Sequence, residues 1–221
     1  IEKERKKDMK IEKGYGRGWV LIIYAFLAYF VSSAVGSSMN AASGILAELR
    51  GWNATMLTSL ISLGAVANIA AGLVFGRLAV RYSAKKLSII CCVGWMAVMV
   101  GLGLTDNLWI FSACLVLGTG IANALGYQLS PVMISRWFPK RKGIVMGIVT
   151  MGIPLCSGMA TMIYQTGYHA MGSVGGFLPF IMIAAVALVL LAAFISDRPE
   201  DKGFIPDNGV QVSIKEEQQI K

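Results

Sequence analysis

Six long apolar runs, separated by short polar connections, dominate the pattern of this 221-residue chain. A helix needs about 20 predominantly apolar residues to cross a bilayer, and each run approaches or exceeds that length. A helix on a soluble core would show a polar stripe at helical spacing, whereas these runs are apolar on all sides. The pattern predicts an all-α membrane protein with six transmembrane helices, at about residue 19 into the 40s, 56–75, 87–105, 108–135, 143–164 and 177–196.

The polarity of the two ends divides the chain into three parts. Residues 1–17 are rich in lysine and predict a basic cytoplasmic tail, and residues 18–196 hold the apolar runs of the bundle. Residues 197–221 are polar, carry both signs of charge and contain two prolines, which is typical of a cytoplasmic tail or linker. Because the first residue is Ile1 rather than Met, we expect a fragment or a processed product.

Composition excludes several classes of protein. The chain is 56% hydrophobic and only 14% charged, whereas soluble domains carry about 25% charged residues. The formal net charge of +8 could suggest nucleic acid, but no nucleic-acid motif is present and the aromatic residues lie in the apolar runs. The four cysteines also lie in apolar runs without CxxC spacing, which predicts buried free thiols. We therefore predict no nucleic-acid partner, no metal site and no cofactor.

Basic residues alternate between the two sides of the predicted membrane. If the six runs cross in sequence, 19 of the 20 lysines and arginines fall on one side and only Arg50 falls on the other. Cytoplasmic loops carry such an excess of positive charge. The distribution predicts a multi-pass protein of the plasma or inner membrane, surrounded by lipid, with both termini in the cytoplasm.

The interiors of the six runs contain neutral polar residues but no Asp, Glu, Lys or Arg. Charges inside a membrane usually mark ion or proton pathways, so their absence counts against a self-sufficient proton pump. Asn123 and Tyr127 are four residues apart and share a helical face, with Pro131 one turn later. This arrangement suits a water-filled cavity, although interhelical hydrogen bonds would explain the same residues.

Small residues are dense in the fourth and fifth runs. Gly143 and Gly147 have GxxxG spacing, which lets two helices approach closely. Together with Gly152 and Pro154, they predict either static helix packing or a pair of helices that rock against each other. His169, the single histidine, falls in the predicted connection after the fifth run and is assigned no role.

Two loop motifs carry a resemblance to a known family. The stretch "GRLAVRYSAKK" matches the pattern G-x-L-A-D-R-x-G-R-K at five positions, and Val80 and Ser83 depart from it; the matches are Gly76, Leu78, Ala79, Arg81 and Lys85. The stretch "RWFPKRKGIVMGIVTMG", which contains Arg136 and Arg141, is similar to the signature R-W-F-P-x-x-R-G-x-A-x-G. With the six runs, these motifs resemble the N-terminal half of a major facilitator superfamily transporter, in the oxalate/formate antiporter-like and monocarboxylate-transporter-like branch.

The resemblance spans about residues 17–209 and implies a function. A secondary active transporter of this kind would move a small organic anion, with a carboxylate as the expected class, by alternating access. The resemblance also implies a second six-helix half downstream. By the family pattern, Tyr127 stands at an aromatic lining position of the cavity, and helix membership adds Tyr24, Ser37, Asn40 and Asn123. Gly36 and Ser37 stand where oxalate-type members carry a polar pair, which disfavours oxalate itself. The missing acidic residue at Val80 puts the usual charge pair of the loop in doubt.

Other classes of function remain open at this point. A self-contained six-helix channel, or a half-transporter that works as a homo-oligomer, would need only this chain. An intramembrane serine protease would need a nucleophile facing a base, and the sole conceivable pair is Ser157 and His169. We therefore predict that the chain is not an enzyme. A sensor built on a transporter fold is a further alternative.

Overall fold

The computed structural model describes residues 17–197, and all of its regular elements in that range are helical. The predicted tails therefore lie outside the described residues, apart from Arg17 and Asp197. Four helices come first and match the first four predicted runs: α1 Arg17–Arg50, α2 Ala54–Arg81, α3 Ala84–Leu104 and α4 Leu108–Trp137. A fifth apolar run, Lys142–Phe194, follows them.

The fifth run turns back on itself and thereby supplies two helices. Its 53 residues would form a straight helix about 80 Å long, far more than the bilayer core of about 30 Å. The backbone leaves the helical region at Met171 and Gly172, where Gly172 has φ +71° and ψ −154°, a conformation that glycine tolerates. The rings of Tyr164 and Phe177 on either side of the break are only 5.2 Å apart.

We call the part before the break α5 (residues 142–170) and the part after it α6 (residues 173–194). The described chain thus has the six helices that the sequence predicts, in five long apolar runs. The predicted connection between the last two is wrong in one respect, because α5 continues about six residues beyond Tyr164. His169 lies near the end of this helix, exposed, rather than in a loop.

Short polar connections end one helix and start the next. The side-chain oxygens of Asn53, Ser83 and Asn107 accept hydrogen bonds from the backbone N–H groups at the starts of α2, α3 and α4, at 2.8, 3.2 and 2.9 Å. Such caps satisfy donors that a helix start leaves unpaired. Connections of a few residues force neighbouring helices to run antiparallel. All the basic loops therefore lie at one end of the bundle, which we call the basic end.

The core of the bundle forms around α1, which packs mainly against the α5–α6 run. Trp95, Phe111 and Phe177 are almost completely buried among the central residues. The outer face of α2 is different, because Val66, Ile69 and Leu73 are 61 to 69% exposed. A soluble protein seldom exposes so much contiguous apolar surface, whereas such a face is expected of a helix in a membrane protein.

Within α4 the regular helix is interrupted by a π-helical segment, Ala124–Leu129. Pro131 follows at the start of the next α-helical section, Ser130–Trp137. Proline has no N–H to donate to the carbonyl of Tyr127, four residues earlier. The Ser130 hydroxyl instead donates to the Leu125 carbonyl at 2.7 Å. The proline-loosened helix that the sequence predicts is thus a wide turn, about two to three and a half turns before α4 ends at Trp137.

Of the predicted packing glycines of α5, Gly152 lies against α1, whereas the GxxxG pair does not. A Cβ built on Gly152 would lie 2.6 Å from the Phe26 carbonyl of α1, so only glycine fits there. A Cβ at Gly143 or Gly147 meets nothing within 4 Å. Val145 and Val149 take the buried face of this part of the helix, which turns the two glycines outward. Within the described chain, the GxxxG pair is therefore not a packing contact.

Candidate functional site

Polar side chains gather around a cavity of about 320 Å³ between α1, α2 and α4. Ligand sites in proteins typically have volumes of about 300–1,000 Å³, so this cavity is large enough for a small solute. Its walls are lined by Ser32, Ser33, Gly36, Ser37, Gly64, Ala65, Asn68, Thr119, Asn123 and Tyr127. Apart from Tyr127, the lining side chains are all small or medium-sized.

Three of the five residues that the sequence nominates lie on these walls, namely Ser37, Asn123 and Tyr127. Tyr24 does not, because it is 1% exposed and packs in the apolar cluster near the basic end. The prediction for Tyr24 is wrong because its side chain lies on the inner side of α1, where it packs against apolar residues and does not line the cavity. Asn40 lies in α1, and its side chain falls outside the described residues.

Sequence reasoning left out four polar residues of the wall, Ser32, Ser33, Asn68 and Thr119. A helical spacing would have found two of them. Thr119, Asn123 and Tyr127 recur every four residues on α4, and Ser33 and Ser37 do so on α1, which places each set on one face. No such spacing identifies Asn68 on α2. Its side chain lines the cavity because of how α2 is rotated against α4.

Three serine hydroxyls extend the polar wall from α1 onto α5. The Oγ atoms of Ser33, Ser37 and Ser157 form a triangle with sides of 3.2 Å, each within hydrogen-bond distance of the other two. The hydroxyls therefore satisfy one another, with Ser157 exposed and Ser33 and Ser37 half-buried. Ser157 has no base beside it, because His169 lies twelve residues along the same helix, about 18 Å away. The arrangement does not form a hydrolase pair.

Tyr127 lies in the π-helical segment and is 45% exposed. Its ring meets the ring of Tyr29 on α1 edge to face, with centroids 5.5 Å apart and planes at 82°. This geometry is favourable for aromatic pairs. The wide turn adds a residue to the helix, and residues beyond it are rotated relative to a regular helix. The aromatic contact and the wide turn together fix the ring at the edge of the cavity.

Two amide oxygens on the cavity residues have no hydrogen bond within the described chain. They are Oδ1 of Asn68 on α2 and Oδ1 of Asn123 on α4, and both are buried. A buried polar group without a partner costs about 1–3 kcal/mol. Gln128 adds a third amide beside them, since its Nε2 lies 3.2 Å from the Cβ position of Gly72. Amide groups therefore face the interior where α2 and α4 meet.

No charged side chain is among the lining residues of this cavity. Hydroxyls and amides can donate and accept hydrogen bonds but cannot neutralise a charge. Among the residues the structure describes, no group of three or more His, Cys, Asp or Glu side chains could hold a metal ion. The site can therefore bind and orient a polar solute, and it carries no group suited to covalent chemistry.

The residues of the two loop motifs lie at the basic end, away from the cavity lining. Arg81 ends α2 and Arg141 precedes α5, and both are exposed. Lys85 and Arg136 contact the segment after α6, where Asp197 lies within 3.8 Å of the Arg136 guanidinium. Gly76 is the exception, because its Cβ position lies 3.6 Å from the Gln128 side chain of α4. Gly76 therefore lies where α2 contacts the Gln128 side chain of α4.

An all-helical membrane bundle with a neutral polar cavity between its helices is typical of the solute-transport class of proteins. The comparison with family models agrees: the chain belongs to the Major Facilitator Superfamily, whose model matches residues 25–220. The prediction of this superfamily and of its fold is confirmed. The prediction that the chain is not an enzyme is also confirmed, because the family and the relatives are transporters.

Three known proteins illustrate the similarity. An MFS-type transporter, pytF, of Aspergillus terreus is 24% identical over 86% of this chain and 67% of its own length. A phosphoglycerate transporter protein of Salmonella typhimurium is 30% identical over 60% of this chain and 29% of its own length. The solved proton:xylose symporter XylE, bound to 6-bromo-6-deoxy-D-glucose, has a TM-score of 0.62 at 16% identity, over 83% of this chain.

The chain spans only part of each of these proteins. The match covers 45% of the XylE chain and 29% of the Salmonella transporter. A six-helix bundle that matches just under half of the XylE chain has the size of half a transporter.

Proposed function

We propose that this chain is the N-terminal half of a secondary transporter that moves a small organic anion. The expected class of anion is a carboxylate. The observation that carries the proposal is the uncharged polar cavity on α1, α2 and α4, which is open on one side. The loop signature around Arg136 and Arg141 supports the oxalate/formate and monocarboxylate-like branch. A relative named for phosphoglycerate, itself a carboxylate, supports an anionic substrate.

In this proposal the two halves divide the work of binding. This half offers hydroxyls and amides, with Asn123 and Tyr127 on α4 and Ser37 on α1 as the lining candidates. The counter-charge for a carboxylate comes from a second six-helix half downstream, because the cavity lining of this one is neutral. Substrate sites of such transporters lie near the membrane midplane between the two halves. Rocking of one half against the other then exposes the substrate to each side in turn.

The proposed orientation places both ends of the bundle's chain in the cytoplasm. All lysines and arginines except Arg50 fall on the side of the basic end if the helices cross in sequence. The proposed location is the plasma or inner membrane.

The test is uptake by the full-length protein in proteoliposomes, against a panel of labelled carboxylates and uncharged solutes of equal size. Tyr127→Ala and Asn123→Leu should each lower uptake at least tenfold if these side chains contact the substrate, since a lost contact of about 1.4 kcal/mol is tenfold. Tyr82→Ala, at an exposed tyrosine outside the cavity, is the matched control and should leave uptake unchanged. Uptake restricted to uncharged solutes would overturn the anion proposal.

The alternative, a half-transporter that acts as a homo-oligomer, differs from this proposal in mass. Immunoblotting of the native membrane against residues 1–17 should show a band near twice the 23.7 kDa of this chain. A band at 23.7 kDa that crosslinks to a dimer would establish the homo-oligomer instead.

A further inference from the structure

Three residues that follow α6 are held against the ends of two other helices. They are Ile195, Ser196 and Asp197, and we call them the α6 clasp. Oδ1 of Asp197 accepts a hydrogen bond from the backbone N–H of Lys85 at 2.8 Å. The backbone carbonyl of Ser196 accepts one from the Trp137 indole Nε1 at 3.1 Å, and this contact is buried. The Ile195 side chain is fully buried in the apolar cluster of the basic end.

The contact with Lys85 caps a helix from outside it. α3 begins at Ala84, and its first N–H groups have no partner within the helix. The Ser83 hydroxyl accepts from the N–H of Lys86 at 3.2 Å, and Asp197 accepts from the preceding one. A carboxylate at this position also interacts favourably with the positive end of the helix dipole. The charged cap of α3 is thus supplied by a residue 112 positions away.

Two further contacts join the same segment to the basic loops. The Lys85 ammonium donates to the carbonyl of Ala192, in the last turn of α6, at 3.1 Å. The Arg136 guanidinium lies 3.8 Å from the Asp197 carboxylate, and both side chains are about a quarter to a third exposed. At this distance and exposure an ion pair contributes at most about 1 kcal/mol. The short hydrogen bond to Lys85 is therefore the stronger of the two Asp197 contacts.

We propose that Asp197 is a positioning residue of this half: it fastens the start of the predicted linker to α3 and to the end of α4. Trp137, which the clasp also holds, is ten residues after Tyr127 on the same helix. The linker and the cavity-lining helix are therefore joined at one point. In the transport cycle the start of the linker and α4 then move as one body. The cycle part of this statement rests on the proposed function, whereas the contact itself does not.

The first test uses fluorine NMR of the full-length protein labelled with 5-fluorotryptophan. The five tryptophans of this chain give separate probes, and a Trp137→Phe variant assigns the Trp137 signal. Asp197→Ala removes the cap and should shift the Trp137 signal. Asp197→Asn keeps an oxygen for the Lys85 N–H and should shift it less than half as far. Asp106→Ala, an exposed aspartate at the opposite end, is the control and should leave Trp137 in place.

An unchanged Trp137 signal in Asp197→Ala would overturn the clasp. Equal shifts in Asp197→Ala and Asp197→Asn would contradict the view that the hydrogen bond from the Lys85 N–H is the main contact of Asp197. If Asp197→Ala fails to fold, the Trp137 signals of Asp197→Asn and Arg136→Gln are compared instead. The proposal expects Arg136→Gln to shift the signal no further than Asp197→Asn, because both remove the ion pair and keep an oxygen for the Lys85 N–H, while Asp197→Asn also removes the charge at the start of α3.

The second test addresses the cycle. With any solute that the full-length protein carries, Asp197→Ala should lower the maximal rate about tenfold or more, as expected for the loss of a hydrogen bond to a charged group. The half-saturating concentration should stay unchanged, because Asp197 does not line the cavity, and Asp197→Asn should recover most of the rate. A rate equal to wild type in Asp197→Ala would overturn the coupling. A failure to carry anions would leave the fluorine result standing, so the two proposals fail separately.

Discussion

At the scale of single residues, the close approach of α1 and α5 depends on the missing side chain of Gly152. A Cβ there would lie 2.6 Å from the Phe26 carbonyl and 3.0 Å from the Phe30 nitrogen, and both are backbone atoms. Gly152→Ala should therefore push the two helices apart and destabilise the protein by about 1–3 kcal/mol. The measurement is the apparent Tm of the full-length protein in detergent.

Gly147→Ala is the control for that measurement, because its Cβ meets nothing within 4 Å. Alanine also favours a helix over glycine by about 1 kcal/mol, so the Tm should stay level or rise. A fall in Tm as large as that of Gly152→Ala would show that Gly147 packs against a helix outside the described residues.

Arg50, the lone cation on its side of the predicted membrane, is 9% exposed, while its partner Asp106 is 87% exposed. The guanidinium also lies 5.0 Å from the centre of the Trp52 ring and donates to the Gly103 carbonyl at 3.4 Å. Because solvent screens Asp106, we expect Asp106→Asn to lower the Tm only slightly. Arg50→Ala should lower it more, since it also removes the contacts with the ring and the carbonyl. Equal losses from the two variants would contradict this ranking.

At the scale of elements, the wide turn of α4 presents Tyr127 at the cavity edge, and Pro131 prevents the regular bond that would close it. Pro131→Ala restores an N–H that can bond the Tyr127 carbonyl. We expect the turn to tighten and a cysteine placed at position 127 to react more slowly with a water-soluble thiol reagent. The four native cysteines are at least partly buried and give a low background.

Pro154→Ala serves as the control for the effect of Pro131. Pro154 is a proline of α5, and it lies outside both the π-helical segment of α4 and the lining of the cavity. The rate at position 127 should then be unchanged. An equal slowing in both variants would show that the cysteine reports a general change in the bundle rather than the turn.

At the scale of the whole molecule, the bias of positive charge predicts which ends of the helices face the cytoplasm. Cysteine replacements at Asp106 and Lys140, both in exposed connections, probe opposite ends of the bundle. In intact cells, a membrane-impermeant thiol reagent should label Asp106→Cys. It should label Lys140→Cys only after the membrane is opened. The reverse pattern would invert the proposed orientation.

Much of the fold follows from local properties of the sequence. The length and uniform apolarity of each run determine six helices, and the caps at Asn53, Ser83 and Asn107 are short-range contacts visible in the residue types. The loop motifs around Arg81 and Arg136 indicate the superfamily, which the comparison confirms. Each of these features depends on residues that are near one another in the chain, and no tertiary contact is needed to recognise them.

The rest was decided by how the helices are rotated against one another. Apart from the polar spacing on α1 and α4, these membrane helices are apolar on all sides, so their sequences do not mark which apolar face packs. The structure alone shows that Tyr24 is buried while Ser33 meets Ser157, and that Gly152 rather than Gly147 touches α1. It also brings Asp197 to Lys85, two residues 112 positions apart. Such contacts depend on the packing of the whole bundle, because only packing sets the rotation of each helix about its axis.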